Sequence, residues 1–212
     1  MLFGGEPSCK IFVELPRHRV LKERQRIILI AYCFELLRSK EFQKDNILKR
    51  PSFPTMTKIV LVCTSAPELK VGHPTGLWLE EAATPYYMFL EKGFEVVIAS
   101  PKGGPVPIDS SSMKGDFFTD ATKKFMHDPE AIDQLCHSVT LESIDFSAVD
   151  AIYLTGGHGP CVEFVDQPVL KKAIETMYAA NKVVAADCHG PVGLVDCCKP
   201  DGTPLVAGKA VT

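Results

Sequence analysis

The sequence predicts an α/β fold with an open, mostly parallel sheet and helices on both faces. Two observations support this prediction. Short runs of apolar, often β-branched residues alternate along the chain with longer segments of helical apolar spacing. The short runs are continuously apolar, which is typical of strands that are buried on both faces of a parallel sheet.

The first predicted elements are a strand, a helix and a second strand. Residues 58–64 (KIVLVCT) and 94–100 (FEVVIAS) have the strand pattern. Between them, residues 76–92 have helical spacing, and the internal Pro85 predicts that the helix breaks or kinks there. Gly93 is the expected C-terminal cap of this helix.

The remaining elements continue the alternation after a turn-rich loop. They are one or two helices over residues 119–136, a strand at 149–154, an amphipathic helix at 168–181 and a strand at 182–186. An apolar stretch after Cys188 predicts one more helix.

The charge divides the chain in two. Residues 1–57 contain 11 Lys and Arg and 6 Asp and Glu, a net of +5, whereas residues 58–212 contain 12 and 20, a net of −8. We interpret residues 1–57 as a basic N-terminal extension of uncertain status and residues 58–212 as the α/β domain. The acidic domain argues against nucleic-acid binding, which needs basic patches.

The N-terminal extension does not show the alternation of predicted strands and helices that the domain shows. Its segment 24–37 has an apolar run too short to span a bilayer, and an amphipathic helix is one interpretation. Met56 precedes the first strand directly and is the predicted functional N-terminus. The extension is then an artefact of the gene model, or alternatively a mitochondrial presequence, against which its acidic residues count.

The eight cysteines form no C-x-x-C pair and no zinc-site spacing with histidine. We expect reduced thiols in a cytosolic-type compartment, no metal and no cofactor, since nucleotide-binding glycine motifs are also missing from the sequence.

The most informative segment is VVAADCHG, where a buried strand stops at a turn of small residues. At such a turn the side chain of Cys188 would be held in strained geometry above the sheet. A following helix would lower the pKa of the thiol, and His189 would be the adjacent base. The sequence therefore predicts that Cys188 is an activated nucleophile.

Two further groups complete the predicted site. The loop TGGHGP follows a strand, and Gly156 and Gly157 let backbone amides approach a substrate oxygen, as in an oxyanion hole. Glu80 and Glu81 lie on the predicted helix after the first strand; a carboxylate buried beside the thiol would have a raised pKa and would move protons. Taken alone, this acidic pair is more typical of solvated surface charge.

Together the segments TGLWLEEAATPYY, TGGHGP and AADCHGP, with IASPKGGPVPID between them, resemble the ThiJ/PfpI family of the class I glutamine amidotransferase-like superfamily. The resemblance covers residues 58–212 and is strongest to the glutathione-independent glyoxalases, a branch that also includes heat-shock chaperones. It implies a flavodoxin-like sheet, Cys188 as nucleophile, His189 as its histidine and Glu81 as its glutamate partner. Gly157 matches the oxyanion loop, and Glu80 would face solvent.

The resemblance also implies that the last strands and a third catalytic acid would lie beyond Thr212. We therefore expect an uncovered flank of the sheet, and a chain that is unstable or poorly active.

The expected function is conversion of methylglyoxal, a small 2-oxoaldehyde, to D-lactate through a hemithioacetal on Cys188. The alternatives are a stress chaperone, a protein deglycase or a catalytically impaired product. No nucleic acid or membrane partner is expected, and members of the branch are often dimers. The expected location is the cytoplasm, with the nucleus as an alternative, or mitochondria if the extension is a presequence.

Overall fold

The strands form one sheet with every neighbouring pair parallel. A computed structural model describes residues 27–29 and 56–209. The sheet order is β1-β6-β5-β2-β3-β4. In chain order the strands are β1 Ile27–Leu29, β2 Lys58–Val62, β3 Glu95–Ser100, β4 Val139–Thr140, β5 Ala151–Leu154 and β6 Val183–Ala186. The predicted fold class is confirmed, although the two-residue strand β4 was not expected.

The α-helices in the described residues are α1 Glu80–Glu91, α2 Asp120–His127, α3 Pro129–Cys136, α4 Pro160–Glu163 and α5 Pro168–Ala179. The split between α2 and α3 has a local cause. Thr119 and Asp128 each cap one of these helices by accepting hydrogen bonds from its first backbone amides. The sequence thus encodes two helix starts in this segment.

Helices cover both faces of the sheet, and neighbouring strand residues point to opposite faces. On one face, Val60 and Val62 pack in a cluster with Leu170 and Ile174 of α5. On the other face, the intervening strand residues point the opposite way, and Leu61 packs among the buried side chains of α1, α2 and α3. The continuous apolar runs are therefore explained by burial on both sides.

Helix α1 continues through Pro85, contrary to the predicted break. A proline in a helix interior removes one hydrogen bond and costs about 3 kcal/mol. Here Pro85 is buried, as are Ala82 and Tyr86 of the same helix, and burial of apolar surface contributes stability against this loss. The helix ends as expected, since Gly93 adopts φ +75° and its amide donates to Leu90 O.

Part of the N-terminal extension belongs to the sheet. Ile27–Leu29 forms a strand and pairs in parallel with Val184–Ala186 of β6, so these residues are not in the helix considered for them. The pairing occupies the outer edge of β6 over three residues, where an open flank had been expected. The other predictions for the extension lie outside the described residues.

Among residues 56–209, no helix has the length and apolar character that crossing a membrane would require.

Candidate active site

Three strands bring the predicted site residues to one edge of the sheet. Val62, Leu154 and Ala186 are aligned by the parallel register, so β2, β5 and β6 end side by side. The TGGHGP loop follows β5 and the cysteine turn follows β6. The carboxyl ends of parallel strands are the usual ligand-binding edge of such sheets. Helix α1 starts over the same edge and brings Glu81 to it.

The turn at Cys188 is strained. Its φ of +46° lies in the left-handed region, which is unfavourable for a residue with a side chain. The turn is closed by the amide of Gly190, which donates to Asp187 O at 2.7 Å. Cys188 is exposed as a residue at the end of the sheet, as the strand-turn pattern predicted, although neighbouring groups partly desolvate its sulfur. However, Gly190–Leu194 is a short 3₁₀ helix rather than the predicted α-helix.

His189 is in direct contact with the thiol. Its Nδ1 atom lies 3.2 Å from Cys188 Sγ, within hydrogen-bonding distance for sulfur. Partial burial lowers the pKa of His189, and the neighbouring His158 lowers it further. A neutral ring can accept the thiol proton through Nδ1, so the expected pairing of thiol and base is present.

Glu81 lies on the other side of the thiol. Its Oε2 atom accepts a hydrogen bond of 2.7 Å from the amide of Gly156, and the carboxyl group also hydrogen-bonds with Cys188. Burial raises the pKa of Glu81 to about 7, as expected for a buried carboxyl beside a thiol. The group can therefore take up and release a proton near neutral pH.

Glu80, which is expected from the sequence to face solvent, is hydrogen-bonded within the protein. It accepts hydrogen bonds from the hydroxyl groups of Thr84, one turn along α1, and Thr119, the N-cap of α2. It therefore ties α1 to α2, while its neighbour Glu81 turns towards the thiol.

The predicted lowering of the thiol pKa is wrong. Burial raises the pKa of Cys188 to about 12, and the nearby Glu81 carboxylate raises it too. A 3₁₀ helix of five residues contributes little dipole to oppose these effects. The resting group is therefore a thiol, and nucleophilic attack by its sulfur would require removal of the proton by a neighbouring group.

The two glycines of the loop have different functions. A Cβ atom on Gly156 would lie 2.5 Å from Glu81 Oε2 and 2.7 Å from Cys188 Cβ. Its amide donates to Glu81 and so positions the carboxylate, while the predicted contact of Gly156 with a substrate oxygen stays a prediction.

Gly157 adopts φ +82°, and its amide lies beside the thiol, where it lowers the pKa of both Cys188 and Glu81. This amide remains a candidate donor to a substrate oxygen.

Sequence reasoning missed Asp187. Its carboxyl group is buried beneath the turn, and its Oδ1 atom has no hydrogen-bond partner among the described residues. Burial, with a contribution from Glu81, holds the pKa of Asp187 well above its usual range. The only sequence signal was its position directly before Cys188. Asp187 is thus a second acidic group near the thiol, and its charge, like that of Glu81, raises the pKa of Cys188.

Residues 56–209 contain no cluster of three or more His, Cys, Asp or Glu side chains arranged to hold a metal ion. The chemistry available from the described groups is nucleophilic attack by sulfur with proton transfer by His189 and Glu81.

Comparisons with known proteins agree with one another on the family of this chain. Residues 73–204 match the family model described as "ThiJ/PfpI family-like". Glyoxalase 3 of Candida albicans is 30% identical over 165 residues, which are 74% of this chain and 68% of that protein. A glutathione-independent glyoxalase of Saccharomyces cerevisiae is 31% identical, covering 73% of this chain and 67% of that protein.

Among solved structures, Rapid Encystment Protein 24 kDa of Francisella tularensis superposes with a TM-score of 0.68 at 30% identity. The match covers 73% of this chain and 68% of that one. The matched part therefore corresponds to about two thirds of the length of these relatives.

Proposed function

Because this chain belongs to the ThiJ/PfpI family, we propose that it is a cofactor-independent glyoxalase that converts methylglyoxal to D-lactate without glutathione. The observation that carries the proposal is the position of Cys188 Sγ, 3.2 Å from His189 Nδ1 and hydrogen-bonded to Glu81. Two proton acceptors around one thiol suit a reaction that adds sulfur to a carbonyl and then moves a proton between neighbouring carbons. The names of the yeast relatives agree with this activity.

In the first step, Cys188 Sγ attacks the aldehyde carbon of the substrate as its proton passes to His189 Nδ1. The aldehyde oxygen then takes up this proton, which gives a neutral hemithioacetal. The lowered pKa of His189 leaves the ring neutral and available to accept a proton at neutral pH, and it also makes the ring a weak base that returns the proton readily. The raised thiol pKa does not prevent attack, since the base lies within hydrogen-bonding distance.

In the second step, the Glu81 carboxylate removes the proton from the carbon that now bears sulfur. The electron pair moves towards the ketone, giving an enediolate whose oxygen the Gly157 amide would bind. Return of the proton from Glu81 to the adjacent carbon, with transfer of the hydroxyl proton from the sulfur-bearing carbon to the former ketone oxygen, gives a lactoyl thioester. Water then hydrolyses the thioester, which releases lactate and the thiol. A carboxyl pKa of about 7 is suited to both directions of this transfer.

The test is lactate formation from methylglyoxal, without glutathione, by the purified chain and by Cys188→Ala. We expect activity in the first and none in the second, with both proteins giving the same circular dichroism spectrum. The matched control is Cys136→Ala, which removes another exposed thiol and should retain full activity. Lactate production by Cys188→Ala at the rate of the unaltered chain would exclude the mechanism.

A stress chaperone and a protein deglycase remain the alternative functions within this family. The same variants separate them from the glyoxalase. Suppression of client aggregation that is unchanged in Cys188→Ala would support the chaperone, whereas cysteine-dependent repair of glycated protein without lactate formation would support the deglycase. We further propose that the substrate is a small 2-oxoaldehyde and that the protein is a homodimer. Equilibrium sedimentation of the purified chain tests the dimer.

A further inference from the structure

A second histidine lies against His189 and is itself next to a buried acid. The ring centroids of His158 and His189 are 4.7 Å apart and tilted by 48°. On its far side, His158 Nδ1 lies 3.9 Å from Asp109 Oδ2. This distance is within the range of an ion pair but is too long for a hydrogen bond. The three side chains form a row that ends at the thiol.

Asp109 is a fixed anchor at the outer end of this row. Only 8% of the residue is exposed. Its carboxylate accepts hydrogen bonds from Thr75 Oγ1 at 3.1 Å and from the amide of Ser111 at 2.9 Å. These donors hold the pKa of Asp109 below its ordinary value, so the group is an anion throughout the neutral range. It thus presents a constant negative charge to His158.

The titratable groups around His189 come from different parts of the fold. They are Cys188 and Asp187 on its own turn, His158 on the loop after β5, and Glu81 on α1. His158 is the group among them that lowers the pKa of His189 by its charge. Cys188 occupies Nδ1, so His158 contacts the ring from another side.

We propose that His158, held by Asp109, is a positioning residue that keeps the ring of His189 neutral and directed at Cys188. The negative charge of Asp109 attracts the ring of His158, and the ring of His158 packs against the ring of His189. Whenever His158 carries a proton, its charge opposes a second positive charge on His189, which preserves the proton acceptor that the thiol needs. This inference rests on the proposed role of His189 but assigns a function to two residues that the mechanism above does not use.

The first experiment measures His189 itself, so it does not depend on glyoxalase activity. The ring signals of His189, assigned by comparison with His189→Gln, are titrated by NMR in the unaltered chain and in His158→Gln. We expect the pKa of His189 to rise in the variant, because the charge of His158 no longer lowers it. An unchanged titration would overturn the proposal.

His137→Gln is the matched control. His137 also pairs with an aspartate, Asp133, at 3.1 Å, but that pair lies exposed at the end of α3. The same substitution there should leave the His189 titration unchanged. A shift of equal size in both variants would show a general effect on the fold and would also overturn the proposal.

The second variant, Asp109→Asn, tests whether Asp109 holds His158 in place. It also keeps the proposal testable if His158→Gln folds poorly. Asparagine can keep the acceptor for Ser111, but it removes the charge that holds His158. We expect kcat for methylglyoxal to fall about tenfold with KM unchanged, since the base is misplaced while the substrate still binds. Its His189 titration should shift in the same direction as in His158→Gln. An unaltered kcat and titration in Asp109→Asn would contradict the anchoring role.

The two proposals can fail separately. If neither the chain nor its variants form lactate, the proposed function fails. The NMR titrations still decide whether His158 lowers the pKa of His189. If lactate forms and depends on Cys188, but His158→Gln leaves the titration unchanged, only the positioning role is lost.

Discussion

The amide of Gly156 donates a hydrogen bond of 2.7 Å to Glu81 Oε2, and this contact joins two segments 75 residues apart in sequence. It turns one carboxylate of α1 away from solvent and towards the thiol of Cys188. It also explains why two adjacent glutamates differ, since Glu80 instead binds the hydroxyl groups of Thr84 and Thr119.

Replacing Glu81 should separate thiol reactivity from catalysis. Glu81→Gln removes a negative charge that raises the pKa of Cys188, so the thiolate becomes easier to form. We expect faster alkylation of Cys188 by iodoacetamide at pH 8, measured by mass spectrometry of its peptide. Lactate formation should fall at least about a hundredfold, because the group that moves the carbon-bound proton is lost.

Glu80→Gln is the control for this experiment, since it changes the neighbouring carboxylate and leaves Glu81 in place. Alkylation and lactate formation should both stay near those of the unaltered chain. Slower alkylation in Glu81→Gln would contradict the stated cause of the raised thiol pKa.

The stability of the protein should depend on Glu81 with a defined sign. The pKa of Glu81 is raised from an ordinary value of 4.5 to about 7 on folding. Between these values the folded protein holds a proton that the unfolded chain has lost, so the free energy of unfolding decreases as pH rises from 4.5 through 7. The full effect is on the order of 3 kcal/mol.

Glu81→Gln has no such proton to lose. Relative to the unaltered chain, the variant should gain stability between pH 5 and pH 8, as measured by urea unfolding at both pH values. Glu80→Gln again serves as the control. A stability difference that is the same at both pH values would be inconsistent with a raised pKa at Glu81.

Adding one methyl group at Gly156 should damage the site. Its Cβ atom would lie 2.5 Å from Glu81 Oε2 and 2.8 Å from the amide nitrogen of His189, closer than atoms can pack. We expect Gly156→Ala to lose stability by about 1–3 kcal/mol and to lose most activity, since the crowded backbone must shift.

The comparison variant is Gly202→Ala, whose new methyl group would meet no atom within 4 Å. Gly202 has φ +81°, so this variant carries only the cost of an unfavourable backbone conformation. It should keep normal kcat. Comparable activity in the two variants would argue against the tight packing of Gly156 on the catalytic groups.

Removing residues 1–55 tests whether the extension contributes to the fold. Deletion takes away β1 and leaves the outer edge of β6 without its partner over Val184–Ala186. We expect a loss of about 2 kcal/mol, for a few backbone hydrogen bonds, and a greater tendency to aggregate. Thermal melting and light scattering of the shortened chain measure both effects. Equal stability would instead support Met56 as the functional start.

Much of the fold could be predicted because a strand that is buried on both faces of the sheet has a continuous run of apolar residues in the sequence. The strands of the domain appear as apolar runs, and the start of α3 is encoded by Asp128 directly before Pro129. Two predictions failed where distant packing outweighs local preference. Helix α1 continues through Pro85 because its ring is buried, and Ile27–Leu29 becomes a strand because β6 offers an edge.

The sequence by itself was enough to predict a nucleophile, a neighbouring base and a glycine loop, because each lies in a short segment whose residue types imply the chemistry, and it determined the fold class that the structure shows. Only the tertiary structure decided the protonation of the site. The pKa of Cys188 depends on burial and on Glu81, which is 107 residues away in sequence, and these outweigh any helix that follows the turn. The row from Asp109 through His158 to His189 also exists only in three dimensions, since the ends of separate strands bring it together.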